Sequence, residues 1–167
     1  MFDLGLTGKV AMITGGSDGL GFASAQRLAS EGCKIAICAR RQAHLDAAAE
    51  AIRTQTGADV LAVPADVSKA ADIEAFVTAT VTRFGGVDIL LNNAGTSAAA
   101  AFETVDDAAW QADIDLKLMA SVRFCRHVIP LMRQRGGGAI VNATIVGGKA
   151  RQRGRCQRPS PAPPVLI

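Results

Sequence analysis

The sequence predicts an α/β fold, a doubly wound parallel sheet of about five strands with helices on both faces. Three observations carry that prediction. Short apolar runs alternate with helical stretches from Lys9 through Asn142. The first run ends in a glycine-rich turn that leads straight into a helix. The chain has 167 residues, 49% hydrophobic and 20% charged, which suits a single domain able to bury a real core. Strand, helix, strand in this rhythm requires right-handed crossovers, and these place helices on both faces of a parallel sheet.

Each element follows from local pattern. Lys9 to Thr14 is short, apolar and partly β-branched, and it stops at glycines, as a buried strand does. Ser17 to Ser30 has a helical pattern, closed at Glu31-Gly32 by a C-cap glycine. Lys34 to Ala39 is the second strand, and Gln42 to Gln55 an Ala-rich helix ended by Gly57. Asp59 to Val63 makes a third strand, stopped by Pro64. Ser68 is the expected N-cap of a helix running to about Phe84, where Gly85-Gly86 turns the chain. Val87 to Leu91 is the fourth strand. A long helix is expected from Asp106 to roughly Arg135, with Ile114, Leu118, Val122, Cys125, Ile129 and Met132 forming its apolar stripe. Gly136 to Gly138 breaks it, and Ala139 to Asn142 is the fifth strand.

Charge is unevenly distributed. All 15 acids and 13 of the 18 Lys and Arg lie in residues 1–148, so the body is mildly acidic. Residues 149–167 hold five bases, no acid and four of the six prolines. The expected organisation is therefore a globular domain over 1–149 and a basic, Pro-rich, disordered tail over 150–167. The net charge of +3 gives no argument for nucleic acid binding by the body, and nucleic acid is not an expected partner. No apolar run approaches the roughly 18 residues of a membrane span. The N-terminus lacks the basic and apolar blocks of a secretory signal, and four cysteines make neither a disulfide framework nor zinc-finger spacing. A cytoplasmic location is the expectation. His44 and His127 lie on helices with no carboxylate or cysteine at the three- or four-residue spacing that would share their face, so no metal site is expected and both read as structural or surface residues.

The turn after the first strand reads Thr14-Gly-Gly-Ser-Asp-Gly-Leu-Gly21. Gly15 permits a sharp exit from the strand, Gly19 removes a Cβ where backbone would approach a pyrophosphate, and Gly21 lets the helix pack close to the sheet. Ser17, Asp18 and Leu20 complete the loop, and the helix beyond it offers free N–H groups and a positive dipole end to phosphates. Glycines alone would equally suit an ordinary connection; their place at the first strand-to-helix junction of an α/β chain favours a cofactor.

The spacing T-G-x-x-x-G-x-G resembles the short-chain dehydrogenase/reductase family, a Rossmann-like family that uses nicotinamide dinucleotides. Further matches come in the family's order. Asp66-Val67 follows the third strand, where the resemblance implies an aspartate contacting the adenine amino group. Asn92-Asn93-Ala94-Gly95 ends the fourth strand and resembles the family's motif beside the adenosine ribose; Asn93, Ala94 and Gly95 are the candidates. Arg126 to Met132 resembles the end of the family's long interface helix, implying a homo-oligomer through the 106–135 helix. Blander readings stay open: Asp66 could start a turn before Ser68, and asparagines commonly terminate strands.

NAD specificity in such folds rests on an acid about 20 positions beyond the glycines. Here the second strand ends Cys38-Ala39-Arg40-Arg41, with no acid from Lys34 through His44. Two guanidiniums suit a 2′-phosphate, so NADP is expected over NAD. Asp18 argues the other way, since NADP-preferring relatives often carry a base there.

The resemblance implies hydride transfer between a nicotinamide and a small-molecule carbonyl or alcohol, using a tyrosine general acid/base, a lysine four residues later, a serine and an asparagine. Those positions do not match. Lys117 stands at the asparagine position, Ile145 at the serine position, and Arg158 and Ala162 where tyrosine and lysine would fall. The sequence contains no tyrosine. No catalytic residue is therefore assigned. The expectation is a fold incomplete at its C-terminal side that binds cofactor weakly without turnover. The tail from Arg151 has the composition of GC-rich codons read out of frame, pointing to a frameshift or truncation near codon 150. A genuine basic tail for phosphate-bearing partners is the competing reading of that segment. For the whole chain, the alternative is a non-catalytic module that binds nucleotide or a related subunit.

Overall fold

A computed structural model describes residues 4–96 and 100–144. Five strands, β1 (Val10–Thr14), β2 (Lys34–Ala39), β3 (Val60–Pro64), β4 (Ile89–Asn92) and β5 (Ala139–Asn142), form one sheet in the order β3-β2-β1-β4-β5. Every pairing is parallel, with Met12 opposite Ala36 on one side and Leu90 on the other. The chain winds outward from β1 to one edge, returns to β4, and winds to the opposite edge. The reversal of order between β1 and β4 opens a crevice at the carboxyl ends of those two strands.

Alternation along β1 sends side chains to two separate cores. Val10 and Met12 join Phe76, Phe124, Val128 and Leu90 beneath α3 (Ala70–Phe84) and α5 (Ala120–Gln134). Ala11 and Ile13 join Ala25, Leu45, Ala49 and Ile52 beneath α1 (Gly19–Ser30) and α2 (Gln42–Thr56). Both faces are covered, which is why the strands read as apolar runs rather than as alternating ones. Phe76 and Phe124 meet edge to face at 6.2 Å and fasten α3 to α5.

Three local expectations are corrected. Ser68 does not cap α3; Lys69 takes that place, and the Ser68 hydroxyl donates instead to Asp66 Oδ1 at 2.8 Å. The long helix is not uniform: α4 (Asp107–Ile114) and α5 are joined by a π-helical segment, Asp115–Met119. The face of α5 turned to the sheet is Ala120, Phe124, Val128 and Met132, whereas Val122, in the expected stripe, is 38% exposed. Inserting one residue at the π segment rotates the helix face, so a single regular stripe cannot describe both halves. Among the described residues no helix is long and apolar enough to cross a membrane. The expected tail over 150–167 and Ile145 lie outside the described residues.

Candidate nucleotide-binding cleft

The crevice between β1 and β4 is held by Thr14, the last residue of β1. Its buried hydroxyl accepts the N–H groups of Asn93 and Ala94, both at 2.9 Å. The Asn93 side-chain amide donates in turn to the Thr14 and Gly15 carbonyls at 3.1 and 3.3 Å. Asn93, expected beside a ribose, thus braces the glycine turn from below.

Gly15 and Gly21 are among the glycines of that turn that geometry requires. Gly15 has φ +66°, a left-handed conformation at which the chain leaves β1. A Cβ on Gly21 would lie 2.2 Å from the Gly15 carbonyl oxygen and 2.5 Å from Asn93 Nδ2, so any side chain would push α1 off the sheet. At Gly19 a Cβ would meet nothing within 4 Å, leaving open space over the start of α1. The Asp18 carboxylate caps α1 by accepting the Gly19 N–H at 2.7 Å. Leu20 is 65% exposed on the first turn.

From this turn a cleft of about 440 Å³ runs across the carboxyl ends of the strands. Gly15 and Ser17 form one end, Arg40 and Arg41 follow β2, Asp66 and Val67 follow β3, and Ala94 and Gly95 follow β4. Eight of the residues expected from sequence therefore line one cavity. Asp18, Gly19, Leu20, Gly21 and Asn93 stand behind or beside it as cap, turn and brace. Sequence reasoning missed Cys38, Ala39, Ala65, Thr96 and Leu116 in the lining. It also missed Thr14, whose signal was a hydroxyl at the last strand position before the glycines.

The electrostatics differ from wall to wall. Arg40 and Arg41 are exposed, and no carboxylate accompanies them at the end of β2. Burial works to raise the Asp66 carboxyl, but the hydroxyl and N–H of Ser68, with Lys69 and Arg40 nearby, outweigh it and hold the group below its ordinary value. Both Ser68 bonds fall on Oδ1. Cys38 is pushed up to about 12 by burial, so its thiol stays protonated and is no nucleophile. Among the described residues no cluster of His, Cys, Asp and Glu could hold a metal ion. Lys117 pairs with buried Asp113 at 2.7 Å, one helical turn away.

An open anion-facing turn, a basic side wall and a carboxylate at the far wall fit a phosphorylated dinucleotide. They define a doubly wound α/β protein with a cleft at its topological switch point. The chain belongs to the short chain dehydrogenase family, whose model matches residues 9–157. It is 39% identical over 144 residues to levodione reductase of Leifsonia aquatica, covering 85% of this chain and 54% of that protein. Among solved structures, L-sorbose reductase from Gluconobacter frateurii, complexed with NADPH and L-sorbose, superposes with TM-score 0.89 at 39% identity. That match covers 93% of this chain and 59% of the reductase. A metagenomic short-chain oxidoreductase in complex with NADP matches with TM-score 0.82 at 32% identity, covering 88% of this chain and 66% of its own. The chain thus spans about half to two thirds of the length of these relatives.

Proposed function

We propose that this chain is the cofactor-binding portion of an NADP-preferring oxidoreductase acting between a carbonyl and an alcohol. The observation that carries the reading is the pair of exposed arginines at the end of β2, opening onto the same cleft as the glycine turn, on a strand end that carries no acid of its own. The similar L-sorbose reductase and metagenomic oxidoreductase hold NADPH and NADP respectively, which supports the same choice.

In this reading the turn from Gly15 to Gly21 and the amino end of α1 hold the diphosphate. Arg40 and Arg41 hold the 2′-phosphate. Asp66 accepts from the adenine amino group, its Oδ1 already fixed by Ser68. Ala94 and Gly95 border the ribose, while Asn93 keeps the turn in shape. When bound, the nicotinamide supplies hydride exchange with a substrate carbon. An alcohol proton must move as the hydride does. These 167 residues include no tyrosine to take it, and Lys117 is engaged by Asp113. The polypeptide is therefore proposed to bind cofactor weakly and not to turn over.

Titration of NADPH fluorescence against NADH tests the binding. Charge-assisted hydrogen bonds to a phosphate predict at least ~10-fold preference for NADPH, lost in the double variant Arg40→Ala, Arg41→Ala. Equal affinities would overturn the assignment, and substrate-dependent NADPH oxidation by this polypeptide would overturn the lack of turnover.

The exposed Val122 on α5 favours a second reading, a non-catalytic nucleotide-binding or subunit-interaction module. It requires a compact, protease-resistant species on sizing; aggregates would favour an incomplete enzyme.

A further inference from the structure

Arg123 lies in the first turns of α5, outside the cleft, and its guanidinium is committed in two directions. One nitrogen donates to Asp115 Oδ1 at 3.0 Å, at the start of the π segment, eight residues back along the same helix. Another donates to the Ser68 carbonyl at 2.9 Å, 55 residues away, in the loop between β3 and α3. The arginine is 23% exposed and the aspartate 28%, so neither bond is a loose surface contact.

Each anchor is one or two residues from a wall of the cleft. Asp115 precedes Leu116, which lines the cavity from the π segment. Ser68 follows Asp66 and Val67, which line it from the end of β3, and it holds Asp66 by two hydrogen bonds. A π segment is a weak point in a helix, because its i→i+5 bonds leave one residue without regular packing. Asp115 is the residue whose carbonyl accepts the closing bond from the Ala120 N–H. The Arg123 bond to the Asp115 side chain spans that segment end to end. Gln111 Nε2 donates to the other carboxylate oxygen of Asp115 at 3.0 Å, so the anchor itself is fixed from the α4 side.

We infer that Arg123 is a positioning residue for the nucleotide: one guanidinium sets the gap between the Asp66–Val67 loop and Leu116, into which the adenine half of the ligand fits. This rests on the dinucleotide reading above. Neither the loop nor the π segment belongs to the regular sheet, so strand pairing alone does not set their separation. A planar guanidinium, with donors in a fixed fork, sets distance and angle together; a lysine ammonium can satisfy only one anchor well. The two anchors also give the arginine no freedom to enter the cleft and meet a ligand itself.

The test uses the 167-residue chain and two probes, 2′,5′-ADP for the adenine half and NADPH for the whole ligand, with affinities measured well below the melting temperature. Arg123→Leu is expected to weaken both by the same factor, about tenfold, since misplacing a binding wall acts on every ligand that uses it. Arg123→Lys is expected to recover part of that loss. Arg83→Leu, which removes the exposed Arg83–Asp59 pair on α3, is the control for mere loss of an ion pair and leaves both affinities unchanged. Should Arg123→Leu fail to fold, Asp115→Asn reports instead, with an expected loss of severalfold. If the unchanged chain binds neither probe, the dinucleotide reading itself falls. If it binds both and Arg123→Leu, or in its place Asp115→Asn, binds them equally well, the positioning role is overturned.

Discussion

At the amino edge of the sheet, Asp88 is buried and its carboxylate accepts three hydrogen bonds. Two come from Arg135 at 3.0 Å and one from the Val10 N–H at 2.8 Å. Its backbone accepts from Ala139 and donates to Val10, so one residue ties β1, β4, β5 and the end of α5. At the carboxyl edge, Arg40 and Arg41 stand exposed with no hydrogen-bond partner among the described residues, and the backbone turns through glycine. Both edges are polar, yet one satisfies its groups internally and the other leaves them facing a cavity. An internally satisfied charge is a stability device; charge held open at a strand end is free to meet a ligand. The same sheet separates the two by its own length.

The largest effect expected is at the closed edge. Asp88→Ala strands the Val10 N–H and the Arg135 guanidinium together, and should cost about 3 kcal/mol of unfolding free energy. Urea denaturation measures that loss. NADPH affinity, read in the folded fraction, should stay within twofold. A large change in affinity with Asp88→Ala would mean that the two edges are coupled and do not act separately.

Gly21→Ala breaks the comparison from the other side. The added carbon meets the Gly15 carbonyl and the half-buried Asn93 amide, which is tied to the turn by two hydrogen bonds, so about 2 kcal/mol of stability is expected to be lost. Unlike Asp88→Ala, it should also abolish measurable NADPH binding, because the turn that would hold the diphosphate has to shift. Retained binding in Gly21→Ala would place the diphosphate elsewhere.

The regular parts of this molecule were legible in the sequence because burial on both faces writes itself as apolar runs. β2 spans Lys34–Ala39 and β5 Ala139–Asn142 as expected, and the other three strands differ by one or two residues at one or both ends. The glycine turn was legible because few residues tolerate its backbone. What was not legible depends on contacts between distant segments. Asp88 looks like an ordinary acid at the start of a strand; only the arrival of Arg135, 47 residues later, makes it a hub. Arg123 reads as surface charge until the sheet brings Ser68 beneath it. The stripe read on the long helix assumes one unbroken α-helical period, and the π segment at Asp115–Met119 shifts that period. Ser68 has the right chemistry for a cap and spends it on Asp66 instead.

Acid sharpens the contrast by the smallest margin. Burial alone would raise the Asp88 carboxyl, but Arg135 and the Val10 N–H outweigh it and hold the group below its ordinary value, as Ser68 does for Asp66. A carboxyl lowered in the folded state adds stability above its unfolded value, near pH 4, and loses it as pH falls through the lower folded value. The urea midpoint should therefore be flat from pH 7 to about 5 and fall below pH 4. Asp88→Asn should start lower and show a shallower acid limb. Asp66→Asn should flatten that limb less, since Asp66 lies nearer to solvent, where screening weakens each interaction. Equal flattening by the two variants would show that the open edge is as tightly tied as the closed one.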